Sequence, residues 1–158
     1  MEAKDNAKKK LKLKVSAIKE GTVIDHIPAN SLFKVISILG LDKIQNQITF
    51  GTNLDSEKLG AKAIIKVSDV FFEDVEINKI ALIAPHAKLN IIKDYEVVEK
   101  KIVETPDKIT GIVKCFNPKC ITNNEKITTC FKVIGKAPIA LKCKYCEKIT
   151  TEEQIRMI

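Results

Sequence analysis

Four cysteines in the last third of the chain have the residue type and spacing of metal ligands. Cys115 and Cys120 are separated by four residues, and Cys143 and Cys146 by two. Such short spacings let both sulfurs of a tight chain reversal converge, and zinc takes two ligands from each of two such reversals. Four thiolates close the tetrahedral shell and leave no position for water or substrate. We therefore expect one structural zinc ion per chain and not a catalytic one.

The alternatives to a metal site are disulfides or unrelated buried cysteines. No apolar signal-peptide core opens the chain, which argues against the oxidising compartment that disulfides need. The fifth cysteine, Cys130, lies in the strand-like run 128–133. It is predicted to be a small buried hydrophobic residue.

A second group that could do chemistry is the pair Asp25 and His26, which stands directly before a predicted helix. Neighbouring residues on extended backbone point to opposite faces, so a catalytic dyad is disfavoured unless the chain turns there. No serine or cysteine nucleophile motif and no glycine-rich phosphate loop accompanies the pair. Turn chemistry alone favours a helix-entry turn in which a polar side chain caps backbone groups.

The charge balance indicates an anionic partner without naming it. The chain of 158 residues has 27 basic and 20 acidic side chains, a net charge of +7. Residues 1–14 hold six lysines against Glu2 and Asp5, so +4 of this charge lies in that segment. Arg156 is the one arginine, and lysine contacts phosphate as a point charge. No stretch approaches the roughly 18 apolar residues of a membrane span, so a cytoplasmic protein without a membrane partner is expected.

The elements that must position these residues follow a lysine-rich mobile arm at 1–10, which has no apolar periodicity. Alternation predicts a strand at 11–17, then a turn at Gly21 and a helix capped by Asn30 and ended by Gly40. Further predicted elements are a hairpin of strands 47–50 and 63–67 across the loop 52–60, and strands at 89–92 and 95–98. Between them a helix is predicted at 73–84, although its isoleucines leave a strand as the alternative. This order predicts a ferredoxin-like split βαβ fold, an antiparallel sheet with two helices on one face.

A domain boundary is predicted at the proline and aspartate of 106–107. Beyond it, short strands around Val113, Ile127, Val133 and Leu141 are separated by Asn123 and Asn124 and by residues 135–138. They predict a small all-β module of the zinc-ribbon or rubredoxin-like kind. The chain is therefore expected to be an α+β protein with an arm at 1–10, one domain at 11–104 and a zinc-binding domain at 105–158.

Four phrases of the sequence resemble the regulatory chain of aspartate carbamoyltransferase: AIK at 17–19, GTVIDHIPA at 21–29, YEVV at 95–98 with Lys100, and LKCKYCEK at 141–148. The resemblance implies a chain without activity of its own. Such a chain forms a homodimer through its N-terminal domain and binds catalytic chains through its zinc domain, so that regulatory dimers bridge two catalytic trimers. It implies allosteric regulation of pyrimidine biosynthesis, in which CTP and UTP inhibit and ATP activates.

Matched residue by residue, the resemblance implies a nucleotide site in the N-terminal domain. Asp25 would accept from ribose hydroxyls, Lys66 would reach the ribose and the base, and His26 and Lys100 would hold the phosphates. The implied site is Val15, Ala17, Ile18, Val23, Asp25, His26, Lys66, Asn90, Ile92, Tyr95, Val97 and Lys100, with Lys62 near a possible second nucleotide. The implied contacts to the catalytic chain are Asn117, Lys144, Tyr145, Glu147 and Lys148. Ser16 and Lys119 depart from the family pattern.

Two other classes of function stay open at this point. A basic zinc-ribbon protein that binds RNA or DNA would explain the charge, the arm and the cysteines. Against it, 5% aromatic residues and a single arginine supply few stacking platforms or bidentate base contacts. A metal-dependent enzyme would need an open coordination position or a histidine ligand. His26 and His86 are far from the cysteines in sequence.

Overall fold

The computed structural model describes residues 17–158. The predicted arm at 1–10, nearly all of the predicted strand at 11–17, and the residues Val15 and Ser16 lie outside the described residues. The chain divides into two compact units, with the boundary between Val103 and Glu104. We call them the N-terminal unit and the C-terminal unit.

The N-terminal unit is built on a five-stranded sheet in which all pairs are antiparallel. Its strands are β1 (Gly21–Pro28), β2 (Ile48–Ser56), β3 (Gly60–Ser68), β4 (Lys88–Lys93) and β5 (Glu96–Ile102). Their spatial order is β2-β3-β1-β4-β5. The first four strands and two helices form the predicted ferredoxin-like split βαβ fold, and β5 adds a further strand at one edge.

The first strand of the split motif is not the predicted one. Gly21, predicted as a turn, begins β1, and the segment with Asp25 and His26, predicted as a helix-entry turn, lies within that strand. Periodicity could not reveal β1 because residues 21–24 are all buried, so apolar and polar positions do not alternate. Glycine is required at position 21, since a Cβ atom there would lie 2.0 Å from the carbonyl oxygen of Val67.

Two helices connect the strands. Helix α1 (Leu32–Ile38) ends as predicted at Gly40, which has a φ of 66°. Asn30 is not its N-cap, because a 3₁₀ turn at Ala29–Ser31 precedes the helix and its N-cap residue makes no side-chain capping hydrogen bond.

Helix α2 (Asp74–Asn78) is much shorter than the predicted helix at 73–84. Beyond it the chain continues in turns, in which the Ile80 N–H donates to the Ile77 carbonyl and the Ala81 N–H to the Asn78 carbonyl. The β-branched isoleucines of this segment lose side-chain freedom in a helix, which lowers their helix propensity. Their helical spacing nevertheless places Ile77 and Ile80 in the core.

Two strand boundaries also differ from the prediction. Strand β2 continues to Ser56, so the hairpin loop is shorter than the predicted 52–60. Strand β5 begins after Tyr95, because Asp94 and Tyr95 form the turn from β4 with φ values of 50° and 65°. It extends to Ile102, which brings Lys100 into the sheet.

The two faces of this sheet are different. Ile24, Ile65 and Leu89 are neighbours across β1, β3 and β4 and belong to the main core, to which both helices contribute. Val23 and Ile92 belong to a small separate cluster with Ile18. No helix within residues 17–158 contributes to that cluster, so this second face of the sheet is the one available to a ligand.

The C-terminal unit is the predicted small β module. Its elements are β6 (Lys108–Thr110), β7 (Val113–Lys114), α3 (Ile121–Asn124), β8 (Cys130–Lys136), β9 (Ile139–Cys143), β10 (Ile149–Thr151) and β11 (Arg156–Met157). The order in its larger sheet is β10-β9-β8-β6, and β11 pairs with β7. Three local predictions are wrong. Asn123 and Asn124 lie in α3 and not in a loop, and Ile127 lies outside any strand. The predicted separator at 135–138 is shorter, because β8 continues to Lys136.

Candidate functional site

The four predicted metal ligands converge in the C-terminal unit. The sulfurs of Cys115, Cys120, Cys143 and Cys146 lie within 4.8 Å of one another. The Cys115–Cys146 distance is 3.7 Å and the Cys120–Cys143 distance is 3.8 Å. Four sulfurs at about 2.3 Å from a central zinc ion are about 3.8 Å apart in a tetrahedron, whereas a disulfide requires about 2.05 Å. The cluster therefore fits a closed tetrahedral metal site and not two disulfides.

The asparagines of α3 fix the first ligand loop. Asn123 donates from its side-chain amide to the carbonyls of Cys115 and Asn117, at 2.9 and 2.7 Å. Asn124 donates in the same way to the Cys120 carbonyl at 2.8 Å. Because an amide side chain can satisfy carbonyls that the loop leaves unpaired, this arrangement holds both cysteines of the loop in place. Sequence reasoning missed this role of the asparagines. The pattern that could have indicated it is the pair of asparagines that begins three residues after Cys120.

The thiols of the cluster differ in acidity before a metal binds. Burial raises the pKa of Cys115 to about 12 and also raises the pKa of Cys143. Burial acts in the same direction on Cys146, but hydrogen bonds, foremost from the Lys148 backbone, lower its pKa to about 7. Because metals bind thiolates, metal uptake must displace protons from this cluster, and metal affinity falls as the pH falls.

The fifth cysteine is separate from this cluster. Cys130 is buried in β8, where the hydroxyl of Thr110 lies 3.9 Å from its sulfur. Its predicted role as a small buried residue is confirmed.

In the N-terminal unit the sheet register aligns four of the predicted nucleotide residues. Lys66 of β3 pairs with Val23 of β1, Val23 pairs with Asn90 of β4, and Asn90 pairs with Lys100 of β5. Opposed residues of neighbouring strands point to one face, so these four, which we call the central row, share the face that lies opposite the main core. The same face carries the predicted residues Asp25, Ile92 and Val97.

A β-bulge brings Asp25 and His26 together beside the central row. Ile24 pairs with Ile65 and Ile27 with Ala63, so β1 has one extra residue between these two pairs. His26 adopts a left-handed φ of 59°. Its backbone N–H donates to Asp25 Oδ1 at 2.6 Å, and its Nδ1 lies 3.6 Å from the same oxygen. This is the exception that the sequence argument allowed, because alternation between the two faces holds only on regular extended backbone and the bulge breaks it.

Lys62 forms an ion pair with Asp25 that the sequence did not predict. Its Nζ lies 2.9 Å from Asp25 Oδ1 and 3.3 Å from Oδ2, and both side chains are 21% exposed. The contact depends on register, since Lys62 is opposed to Pro28 at the far end of the bulge. Any ligand that uses the Asp25 carboxylate must share it with this lysine.

The surroundings of His26 disfavour its charged form. Burial lowers its pKa, and the charges of Lys62, Lys88 and Lys58 act in the same direction, while Asp25 opposes them. Within residues 17–158 its buried Nδ1 has no hydrogen-bond partner. An anion placed beside this ring would favour the charged form.

This lowered pKa predicts how stability depends on pH. Below pH of about 6.5 the unfolded chain binds more protons at position 26 than the folded chain, so stability falls as the pH drops towards the folded pKa. We expect His26→Asn, which tolerates the left-handed φ, to reduce this loss. Urea denaturation at pH 7.5 and pH 5 measures the loss in the free energy of unfolding. Equal losses in the unaltered chain and in His26→Asn would contradict the role given to His26.

The residues before β1 close one end of this face. The Tyr95 N–H donates to the Lys19 carbonyl at 3.0 Å, so segment 17–20 lies against the turn between β4 and β5. Ile18 packs on Val23 and Ile92. The Tyr95 side chain is 64% exposed, and Ala17 is exposed as well. The result is an apolar end beside the polar centre of the face.

Comparison with known proteins decides the family. The profile of the aspartate carbamoyltransferase regulatory chain, allosteric domain, matches residues 13–104, and that of the metal binding domain matches residues 107–156. The chain belongs to the aspartate carbamoyltransferase regulatory chain family. It is 60% identical over 146 residues to the regulatory chain of Bacteroides fragilis, covering 92% of this chain and 95% of the relative. The regulatory chains of Phocaeicola vulgatus (55% over 158 residues, 100% of each chain) and Pyrococcus horikoshii (57% over 145 residues, 90% and 95%) are similar.

Family membership confirms the resemblance inferred from the sequence. A regulatory chain of aspartate carbamoyltransferase takes part in pyrimidine biosynthesis, has a catalytic chain as its partner and is not itself the catalyst. The alternative of a metal-dependent enzyme is thereby set aside. In the part of the regulatory chain that the structure describes, no helix has the length and apolarity to cross a membrane.

The predicted contacts to the catalytic chain lie on the two ligand loops. Lys144 and Tyr145 lie between the cysteines of the second loop, with the Lys144 Nζ 5.9 Å from the centroid of the Tyr145 ring. Tyr145 is 42% exposed, and the side chains of Glu147 and Lys148 are exposed as well. Asn117 is half-buried in the first loop, where its Oδ1 accepts from the Lys119 N–H.

Proposed function

We propose that the regulatory chain binds nucleoside triphosphates on the sheet face that carries the central row. The observation that carries this proposal is the row itself. Lys66 and Lys100 stand at its two ends, with Val23 and Asn90 between them, on a face without helices in the described chain. Two cations around an apolar and an amide side chain suit a ligand that combines phosphates with a flat polar base. We assign this role to domain 11–104.

The residues beside the central row suit different parts of a nucleotide. The base would find apolar contacts at Ile18, Ile92 and Val97. The backbone carbonyls near Ile18 and Tyr95 would accept hydrogen bonds from an exocyclic amine. Asp25 would accept from ribose hydroxyls while it shares its charge with Lys62.

Electrostatics favours an anion at the same place. Burial lowers the pKa of Lys66, and Asp25 opposes the shift, so this ammonium group gains from a further polar or anionic ligand. His26 donates from both ring nitrogens when it takes up a proton from solvent, and a nearby anion favours that form. Together with Lys100 it would hold the phosphates. Lys62 would contribute to a second nucleotide only after releasing Asp25.

The proposed effectors are CTP and UTP as inhibitors and ATP as activator of the catalytic chain. A nucleotide can shift the complex between two states only through its difference in affinity for them, typically about 1–3 kcal/mol. We further infer that two regulatory chains pair through their N-terminal domains and bridge two catalytic trimers. The exposed apolar side chains at both sheet edges support this, among them Phe50 on β2 and Ile102 on β5, at 47% and 68% exposure.

We also propose that the metal is zinc and that its role is structural. Four cysteine ligands at tetrahedral spacing suit zinc, and they leave no open coordination position. When bound, the ion would fix the two loops of domain 105–158 that carry Asn117, Lys144, Tyr145, Glu147 and Lys148, the proposed contacts to the catalytic chain.

The test of nucleotide binding uses two neighbouring lysines on opposite faces of β5. Lys100→Ala removes a proposed phosphate contact, which should weaken CTP binding by about 10- to 100-fold and cytidine binding by less than about threefold. Lys101→Ala is the matched control, because Lys101 opposes Leu89 and pairs with Asp74 at 3.1 Å. Isothermal titration calorimetry measures the CTP and cytidine affinities of the unaltered chain and of both variants.

Three results would contradict the proposal. One is the absence of CTP binding to the unaltered chain. Another is an equal loss for CTP and cytidine in Lys100→Ala, which would remove the phosphate role. The third is an equal loss of CTP affinity in both variants, which would place the ligand elsewhere.

A further inference from the structure

Three lysines stand side by side on the larger sheet of the C-terminal unit. Lys108 of β6 pairs with Lys132 of β8, and Lys132 pairs with Lys142 of β9. Opposed residues point to one face. This is the outer face, because all three lysines are exposed whereas the adjacent Phe131 and Leu141 are buried. We call these three residues the lysine row.

The described chain offers the lysine row no counter-charge. Elsewhere lysines pair with carboxylates, as Lys62, Lys101 and Lys136 do, but within residues 17–158 no such ion pair involves the lysine row. Like charges directly opposite each other on neighbouring strands repel, and the strands lie about 4.8 Å apart. The Cα atoms of the three lysines span about 10 Å, and an anionic partner would relieve the repulsion between their like charges.

Two isoleucines indicate what kind of partner fits. Ile149 of β10 opposes Lys142 and therefore shares the face of the lysine row. Ile134 lies close by, at a β-bulge of β8 two residues beyond Lys132. They are 48% and 47% exposed. Lysines alone could contact phosphates, but base readout uses arginine forks and single-strand binding uses aromatic stacking. The four strands hold one aromatic residue, the buried Phe131, and no arginine. A cationic face with apolar side chains fits a protein surface on which acidic and apolar residues alternate.

We propose that the lysine row, with Ile134 and Ile149, docks an acidic and partly apolar region of the catalytic chain. This inference rests on the proposed function, which makes the catalytic chain the partner of the C-terminal unit. It adds a surface beyond the residues on the two metal-ligand loops. Electrostatic attraction of this kind raises the association rate and weakens as salt is added.

The experiment reverses the central charge of the row. We expect Lys132→Glu, in the metal-loaded full chain, to weaken binding to the catalytic trimer by roughly tenfold or more at low salt, with a smaller difference at high salt. Its thermal stability should not fall, because a glutamate between Lys108 and Lys142 replaces repulsion with attraction. Lys126→Glu is the control, since it makes the same charge change at an exposed residue outside the strands and should leave affinity nearly unchanged. Surface plasmon resonance at two salt concentrations measures these affinities.

The results separate two claims: that the C-terminal unit binds the catalytic chain, and that the lysine row is part of the binding surface. If the unaltered chain binds the trimer and Lys132→Glu binds equally well, or if both variants weaken binding equally, the docking surface is wrong and the partnership stands. If the unaltered chain does not bind the trimer, both fail. If Lys132→Glu instead abolishes binding to a labelled single-stranded oligonucleotide while trimer binding is unchanged, the face serves nucleic acid and the inference is overturned.

Discussion

Replacing Cys120 with serine is expected to release the metal and unfold the C-terminal unit, while the N-terminal sheet remains folded. The unit spans only Glu104–Ile158, and a domain of that size buries a small share of its surface and is marginally stable without help. Structural zinc contributes about 10–16 kcal/mol of binding free energy in small metal-dependent domains, which matches or exceeds the whole net stability of a typical domain, about 5–15 kcal/mol. Loss of one of four ligands removes a large part of that contribution.

The buried thiol outside the cluster provides the control for this experiment. Cys130→Ser changes a cysteine whose sulfur is not among the four ligands, so we expect it to keep the metal and to lose about 1–2 kcal/mol of stability. Metal content and thermal unfolding by circular dichroism distinguish the two variants. Chelation of the unaltered chain should release the catalytic trimer before CTP affinity changes. A complete complex that persists after full metal removal would contradict the structural role of the ion.

The second large effect is expected at a residue that touches no ligand. Gly21→Ala would place a Cβ atom 2.0 Å from the Val67 carbonyl oxygen and 3.0 Å from the Asp69 backbone nitrogen, and both are backbone atoms of the paired chain. The residue also has a φ of +138°, which side chains rarely adopt. Strand β1 must then separate from β3 at this end, at a cost of about 4 kcal/mol or more.

The same substitution should also abolish nucleotide binding, because the central row exists only while Val23 stays opposite Lys66. Gly40→Ala is the matched control: its φ is +66°, but no atom lies within 4 Å of the added Cβ. It should cost about 1–2 kcal/mol and leave CTP affinity unchanged. Urea denaturation and calorimetry measure both effects. Equal destabilisation by the two substitutions would show that the close approach at Gly21 has no special importance.

Local sequence signals predicted the parts of this chain that depend on local chemistry. The spacing of Cys115 with Cys120 and of Cys143 with Cys146 is sufficient to predict the convergence of their sulfurs. Gly40 ends α1 as predicted, because glycine accepts the left-handed φ of a helix end. The order of strands and helices gave the split βαβ fold even though its first strand was placed one segment too early.

The parts that local patterns could not predict depend on burial from both sides and on backbone irregularities. Strand β1 is buried on both faces at its start, so it has no alternation to detect. The bulge at His26 has a positive φ. Histidine tolerates this conformation, but a histidine in the sequence does not predict it. Asn123 and Asn124 were predicted to lie in a loop because asparagine is common in turns and loops. Their hydrogen bonds to carbonyls of the preceding metal-ligand loop follow from the fold and leave no local sequence pattern.

In the candidate nucleotide site, too, some features could be predicted from the sequence and others depend on the fold. Resemblance to the family supplied its residue types, and the sheet register then placed Lys66, Val23, Asn90 and Lys100 in one row. No sequence pattern could indicate that Lys62 pairs with Asp25, because that contact depends on the register of two strands and the residues are 37 positions apart in sequence. Val15 lies outside the described residues, and its place in the site stays a prediction.

The central claim is that nucleotides bound at the central row regulate the catalytic chain. Its most direct test is the activity of the complex reconstituted from catalytic trimers and regulatory chains, titrated with CTP. The account predicts inhibition with the unaltered chain and with Lys101→Ala, and a response displaced to about 10- to 100-fold higher CTP with Lys100→Ala. Identical titration curves for the unaltered chain and Lys100→Ala, or no response to CTP, ATP or UTP in a fully assembled complex, would contradict it.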